Sequence, residues 1–337
     1  MNSLVRILPL LLVTTLPVSA LTEENFKQTR PATPGGTLIV DVDFGTIEVK
    51  PGENDKVMVD AFRKIEAPTK EREKQYVETV PITLTTEAGN KVVLRARAAD
   101  SSAMRGLCEG EGNSRTDARY TVRVPASFNA DLKTAGGGVG VSDLTGSIKA
   151  HTNGGDLAFA RVHGAIEAKT NGGEITLGGC DGSLDVATNG GKIIAEAGSG
   201  TLRAHSSGGG IAVADFGGDT DVQTNGGRLL LQNNRGMLAG QTSGGSISAS
   251  LPSPLPGDVS LQTSAGAIDL IAPLNASLDL DAKTDIGAVT TDLPISGARA
   301  ERNAVAGKVN GGGKAVVLRS GAGSISIRSA ASETAQR

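Results

Sequence analysis

The chain has 337 residues, 33 of them basic and 36 acidic, with 46 Gly, two Cys and no Trp; aromatics make up 2 %. A charge this balanced, with no basic run, excludes the phosphate grip of a nucleic-acid binder. So few aromatics exclude a stacking platform for single strands, and by the same logic argue against a typical sugar-stacking groove.

Residues 1–20 read MNSLVRILPLLLVTTLPVSA. Arg6 supplies a positive start, residues 7–16 an apolar core, and Val18-Ser19-Ala20 a small-residue cleavage site, so a cleaved signal peptide is expected. The apolar run falls short of the roughly 20 residues that span a bilayer. No later segment is apolar enough to cross a membrane, so no transmembrane segment is expected in the mature chain. The expected location is extracytoplasmic: periplasm, cell surface or released.

Residues 21–36 read as a linker, and residues 37–130 as an irregular β capping region. Within it, residues 37–60 alternate in polarity around a glycine, and Phe44-Gly45-Thr46-Ile47 resembles a degenerate turn. Residues 61–80 are charged and read as a loop or one helical turn. Residues 82–98 read as a hairpin around Gly89-Asn90, and residues 99–118 as an exposed polar loop.

A repeat then dominates residues 131–328. TNGG occurs at Thr152-Asn153-Gly154-Gly155, Thr170-Asn171-Gly172-Gly173, Thr188-Asn189-Gly190-Gly191 and Thr224-Asn225-Gly226-Gly227. Related T/S-x-G/A-G segments start at residues 134, 206 and 242, so seven copies keep a period of 18. Weaker starts fall at 263, 284 and 320. Numbering each copy from its Thr, positions 6 and 8 (Ile175, Leu177) and positions 15 and 17 (Leu184, Val186) alternate with polar residues. That period-two pattern marks short half-buried strands.

No single repeat can bury these faces, but stacked repeats can. The expected fold is all-β: a parallel β-solenoid with about 18 residues and two short strands per coil, each coil rising about 4.8 Å. The phase points Thr of TNGG inward. Asn then enters the corner, where it tolerates left-handed backbone and can ladder with its neighbours, and Gly-Gly turns the chain. Residues 252–258 (PSPLPGD) interrupt the period as an insertion loop. Residues 307–328 read as the last coils, and residues 329–337 as a disordered tail.

These motifs resemble a bacterial family of candidate adhesins of unknown function, built from short β-strand repeats. The resemblance rests on Gly45-x-Ile47-x-Val49, Tyr120-Thr121-Val122-Arg123-Val124-Pro125, the repeated G-G-x-I and Val309-Asn310-Gly311-Gly312-Gly313. It covers roughly residues 37–328. It implies the fold, supplies no catalytic residues, and lends adhesion only fold-level support.

Chemistry is sparse. The chain has no G-x-S-x-G, no phosphate loop, and no repeated calcium turn, because position 5 varies freely. His151 and His205 share position 18 but lie three coils apart, about 14 Å at this spacing, so no joint metal site is expected. No cofactor is expected. Position 16 reads Lys149, Glu167, Asp185, Arg203, Asp221. Glu167 and Asp185 would lie about 5 Å apart, a spacing that retaining glycosidases use. A mixed-charge solvent face is the plainer reading. Cys180 reads as a small buried hydrophobe, and an oxidising compartment would also permit a disulfide to Cys108. An ice-binding array of outward Thr is disfavoured, since the phase turns Thr inward.

The function expected is a non-enzymatic scaffold that binds a surface, glycan or protein partner through solenoid faces or loops. The alternatives are a polysaccharide-active enzyme using Glu167 and Asp185, and an envelope protein that self-associates end to end.

Overall fold

The computed structural model describes residues 20–98 and 115–330. Most of the expected signal peptide, the glycine-rich segment holding Cys108, and the tail from residue 331 lie outside the described residues. Two long sheets, of 14 and 15 strands, face each other across a narrow core.

The repeats build the middle of both sheets. Strands such as Leu157–Ala160, Ile175–Gly178 and Ile193–Glu196 stack in parallel in the 14-stranded sheet, each residue beside the one 18 further on. Ile166–Thr170, Asp181–Thr188 and Ser199–Ser206 do the same in the 15-stranded sheet. Alternation sets which side is buried. Ile175, Leu177, Leu184 and Val186 are at most 2 % exposed. Each such side chain stabilises the stack by about 1.5–3 kcal/mol through burial.

Position 11 shows how columns adjust to each other. Gly198 has no side chain, and the Phe216 ring of the next coil fills the space, within 2.8 Å of where a Cβ would sit. Where Thr220 brings a hydroxyl into the core, Asn234 one coil on donates to it at 2.7 Å. A polar pair thus replaces an apolar one without orphaning the hydroxyl.

The N-terminal cap departs from the expected linker. Residues Ala20–Pro31 form a 12-residue strand, antiparallel to Lys56–Ala67. Its inward positions are polar apart from Phe26, which packs on the core, and one of them, Glu24, meets the buried guanidinium of Arg63. Residues 61–80 are likewise neither a loop nor a single turn. Lys56–Ala67 continues as strand, and a helix, α1 (Lys70–Thr79), follows with Thr69 as its N-cap. The polar segment that precedes the first coil ends early, because Arg115–Val124 is already strand. The hairpin around Gly89-Asn90 is present, joining Thr83–Glu87 to Lys91–Ala96, with both turn residues at positive φ.

The far end corrects the order of the coils. Val259–Ala265 pairs not with the next strand in sequence but with Lys314–Ala322. Lys314–Ala322 in turn pairs with Leu278–Ile286. The chain's last coil is therefore slipped between two earlier ones. The terminal coil is the one at residues 278–291, covered on the 15-stranded side by the antiparallel strands Ala304–Val309 and Ile295–Glu301.

Candidate functional site

TNGG is the corner between the two sheets, and its threonine hydroxyls are bonded to the backbone. Thr170 is buried. Its hydroxyl donates to the Gly155 carbonyl of the coil before at 3.0 Å and accepts from Gly173 N–H of its own coil at 3.2 Å. Thr152, Thr188 and Thr224 repeat both bonds, and Ser206 keeps them with a smaller side chain. The result is a column of hydroxyl-to-carbonyl hydrogen bonds that ties each coil to the one before. Asn189 donates to Asn171 at 3.0 Å and Asn171 to Asn153 at 3.3 Å, which is the expected ladder.

The glycines serve a different purpose from the one expected. None of Gly154, Gly155, Gly172, Gly173, Gly190, Gly191, Gly226 and Gly227 has positive φ, and neither do the Asn residues. The second glycine is required by approach: a Cβ on Gly173 would sit 1.9 Å from the Gly155 oxygen. A Cβ on Gly155, Gly191 or Gly227 would lie between 1.8 and 2.1 Å from the matching oxygen. The first glycine is loose, and around Gly154 nothing lies within 4 Å of a Cβ. Left-handed backbone belongs to the opposite turn, at position 10, where Asp143, Arg161, Ala197, Asp215 and Asn233 have φ of 52–59°. Two of these residues, Arg161 and Asp143, form a forked ion pair between coils at 2.5 and 2.9 Å. The Arg161 hydrogen bonds hold the Asp143 carboxyl below its usual range.

Glu167 and Asp185 are register neighbours on adjacent strands, as the shared position implies. The surroundings of Glu167 do not suit a general acid. Glu167 accepts from Lys169 at 2.8 Å and lies 3.6 Å from Lys149. The Lys169 hydrogen bond, with the charges of Lys169 and Lys149 behind it, lowers the Glu167 pKa. A glycosidase acid needs a raised one. These residues border an open hollow of about 310 Å³ on the outer face of the 15-stranded sheet. His151 also borders it. His163, at the other turn, pairs instead with Asp181.

A second hollow of about 520 Å³ crosses the same sheet further along, where Ala239, Ser260 and Val317 leave a shallow floor between Arg203 and Asp258. Met237, 56 % exposed, stands at its margin. Sequence reasoning missed this hollow because its floor joins strands 57 residues apart in the chain. The small outward residues Ala239 and Ser260, beside charged residues at the same place in earlier coils, were the available signal.

Cys180 is buried in the core at position 11, its thiol 3.7 Å from the Gly178 oxygen. Burial pushes the thiol pKa up. Its expected partner Cys108 lies outside the described residues. Among the described residues no three His, Cys, Asp or Glu side chains are placed to share a metal ion. Nor is any helix there long and apolar enough to cross a membrane.

No curated protein matches the chain. Among the solved structures that resemble it, three do so at low identity. One is a candidate cell adhesion protein from Clostridium sporogenes ATCC 15579, at 10 % identity over 91 % of this chain and 100 % of that one, with a TM-score of 0.20. Another is a candidate adhesin from Bacteroides fragilis NCTC 9343, at 12 % over 93 % and 98 %, TM-score 0.32. A third is a candidate adhesin from Parabacteroides distasonis ATCC 8503, at 9 % over 93 % and 98 %, TM-score 0.27. The profile of one family, Toastrack DUF4097, matches residues 37–328, which takes in the cap from its second strand onward and every coil, so the chain belongs to the DUF4097 toastrack family.

Proposed function

We propose that the protein is a non-enzymatic, extracytoplasmic repeat scaffold that binds a surface, glycan or protein partner through its sheet faces and loops. The observation that carries this reading is the division of labour around each coil. The recurring corner serves structure, with Thr and the second Gly holding one coil to the next. The variable positions are those that face outward, in register, across hollows on the 15-stranded sheet. Repeat folds commonly use such extended faces for binding. The signal-like start of the sequence supports export.

The Lys169 and Lys149 contacts to Glu167 weigh against the polysaccharide-cleaving alternative. A glycan array and a capture experiment with the mature chain from Leu21 onward test the reading. Saturable binding without turnover is expected. Polysaccharide cleavage that disappears in the Glu167→Gln/Asp185→Asn double variant would overturn it in favour of the enzyme. Filaments that grow with concentration would favour self-assembly instead.

A further inference from the structure

The cap end of the 14-stranded sheet carries a third hollow, of about 560 Å³, away from the solenoid coils. It lies on the outer face of the strands Ala20–Pro31, Lys56–Ala67 and Arg115–Val124. Register sets Phe62 opposite Arg119 and Met58 opposite Arg123. Between these pairs, Asp60 faces Thr121 on one side and Lys27 on the other. Lys27 and Asp60 are bonded at 3.0 Å. Asp60 is the one acid among the described residues that line the hollow, and its charge is thereby answered. The Arg119 and Arg123 side chains make no hydrogen bond or ion pair among the described residues.

We propose that this hollow is a binding site for an anionic polysaccharide, with Arg119 and Arg123 receiving successive acid groups over a floor of Phe62 and Met58. The proposal rests on the binding-scaffold reading above and gives it a place and a ligand class. A guanidinium presents a planar fork that matches carboxylate or sulfate, and two unpaired forks on one face mark a surplus of donors. They sit four residues apart on one strand, about 13 Å at the rise of an extended chain. No single carboxylate bridges that distance, so the ligand carries repeated charges. The site lies on a sheet face, where the backbone groups are already paired between strands. A peptide that recognises a sheet adds to its edge. A ligand read by side chains alone must bring its own acids, and sugar rings bring apolar C–H faces for Phe62 as well.

The test is titration of the mature chain, at low and at moderate salt, with four probes: oligogalacturonate, dextran sulfate, neutral maltooligosaccharide and polyglutamate. Salt-sensitive binding of an acidic glycan is expected, with none of the neutral one. Arg119→Gln/Arg123→Gln should weaken it about tenfold or more, as the loss of two charge-assisted contacts implies. Arg119→Lys/Arg123→Lys keeps the charge without the fork and should fall between. Phe62→Ser should weaken glycan binding alone. Thermal melts confirm that each variant is folded. A wild-type chain that binds neither acidic glycan overturns the proposal. So does polyglutamate binding of equal strength that Phe62→Ser leaves unchanged, which would mark a general anion patch. Glycan binding that survives both arginine double variants overturns this site and leaves the scaffold reading standing. Failure of the array and capture experiment would remove the scaffold reading itself.

Discussion

Two adjacent glycines, Gly172 and Gly173, should respond oppositely to the same substitution. In Gly173→Ala the new Cβ would lie 1.9 Å from the Gly155 oxygen and 2.4 Å from its carbonyl carbon. An ordinary C···O contact is about 3.3 Å or longer, so the coils must part locally by more than about 1 Å. Their ladder spacing is only about 4.8 Å. That separation breaks Thr170 to Gly155, Gly173 to Thr170 and the adjoining Gly172 to Asn153 bond. At about 1 kcal/mol net each, with partly buried groups left unpaired, the expected cost is about 3–5 kcal/mol. In Gly172→Ala the nearest atom is 3.8 Å away and φ is not positive. That variant should be neutral or gain up to about 1 kcal/mol by restricting the unfolded chain. Urea denaturation followed by circular dichroism, with the slope compared between variants, measures both. If Gly173→Ala is as stable as Gly172→Ala, the close approach does not exist and the corner has been misread.

Three further outcomes follow from the same contacts. Thr188→Val should cost about 2–4 kcal/mol in a urea melt, because it strands the Gly173 carbonyl and the Gly191 N–H; Thr188→Ser should cost much less, as Ser206 already fills this position. Ala197 holds φ of 52° without being glycine or asparagine, so Ala197→Asn should raise stability by up to about 1 kcal/mol. Glu73 is buried, and burial alone would raise its pKa. Hydrogen bonds from Thr22 and Lys70 outweigh burial and hold the pKa below the ordinary value. A depressed folded pKa stabilises above the unfolded value and is lost as pH falls through the folded one. Wild type should therefore lose melting temperature more steeply than Glu73→Gln from about pH 6 to about pH 3. Parallel slopes would refute that assignment.

What was legible in the sequence is what repeats. A period of 18 fixes the register, because each side chain sits beside its own equivalent, and the inward direction of Thr follows from counting by twos. The adjacency of Glu167 and Asp185 follows from the same register, and Lys169 two residues on was there to be read as the partner of Glu167. The cap was legible only in part: Gly89-Asn90 marks its hairpin, but its first strand and helix occur once and follow no repeat. Ala20–Pro31 shows no apolar alternation, since its inward Glu24 is matched by Arg63, a pairing visible only in three dimensions. The left-handed turn was hidden because five residue types occupy position 10 among the six coils from residue 143 to residue 233, and the main chain, not the side chain, sets φ there. The interleaved last coil was hidden because spacing within a repeat says nothing about which coil lies next to which.

The 18-residue coil is the structural unit of the stack, joined to its neighbours at the TNGG corner. Deleting residues 188–205 removes one complete coil and joins Ala187 to Ser206, so each remaining strand finds an equivalent neighbour in register. The shortened protein should be folded and β-rich with a cooperative melt, whereas deleting half a coil, residues 188–196, should leave it unfolded or aggregated. If the two deletions behave alike, the stack of equivalent coils is contradicted.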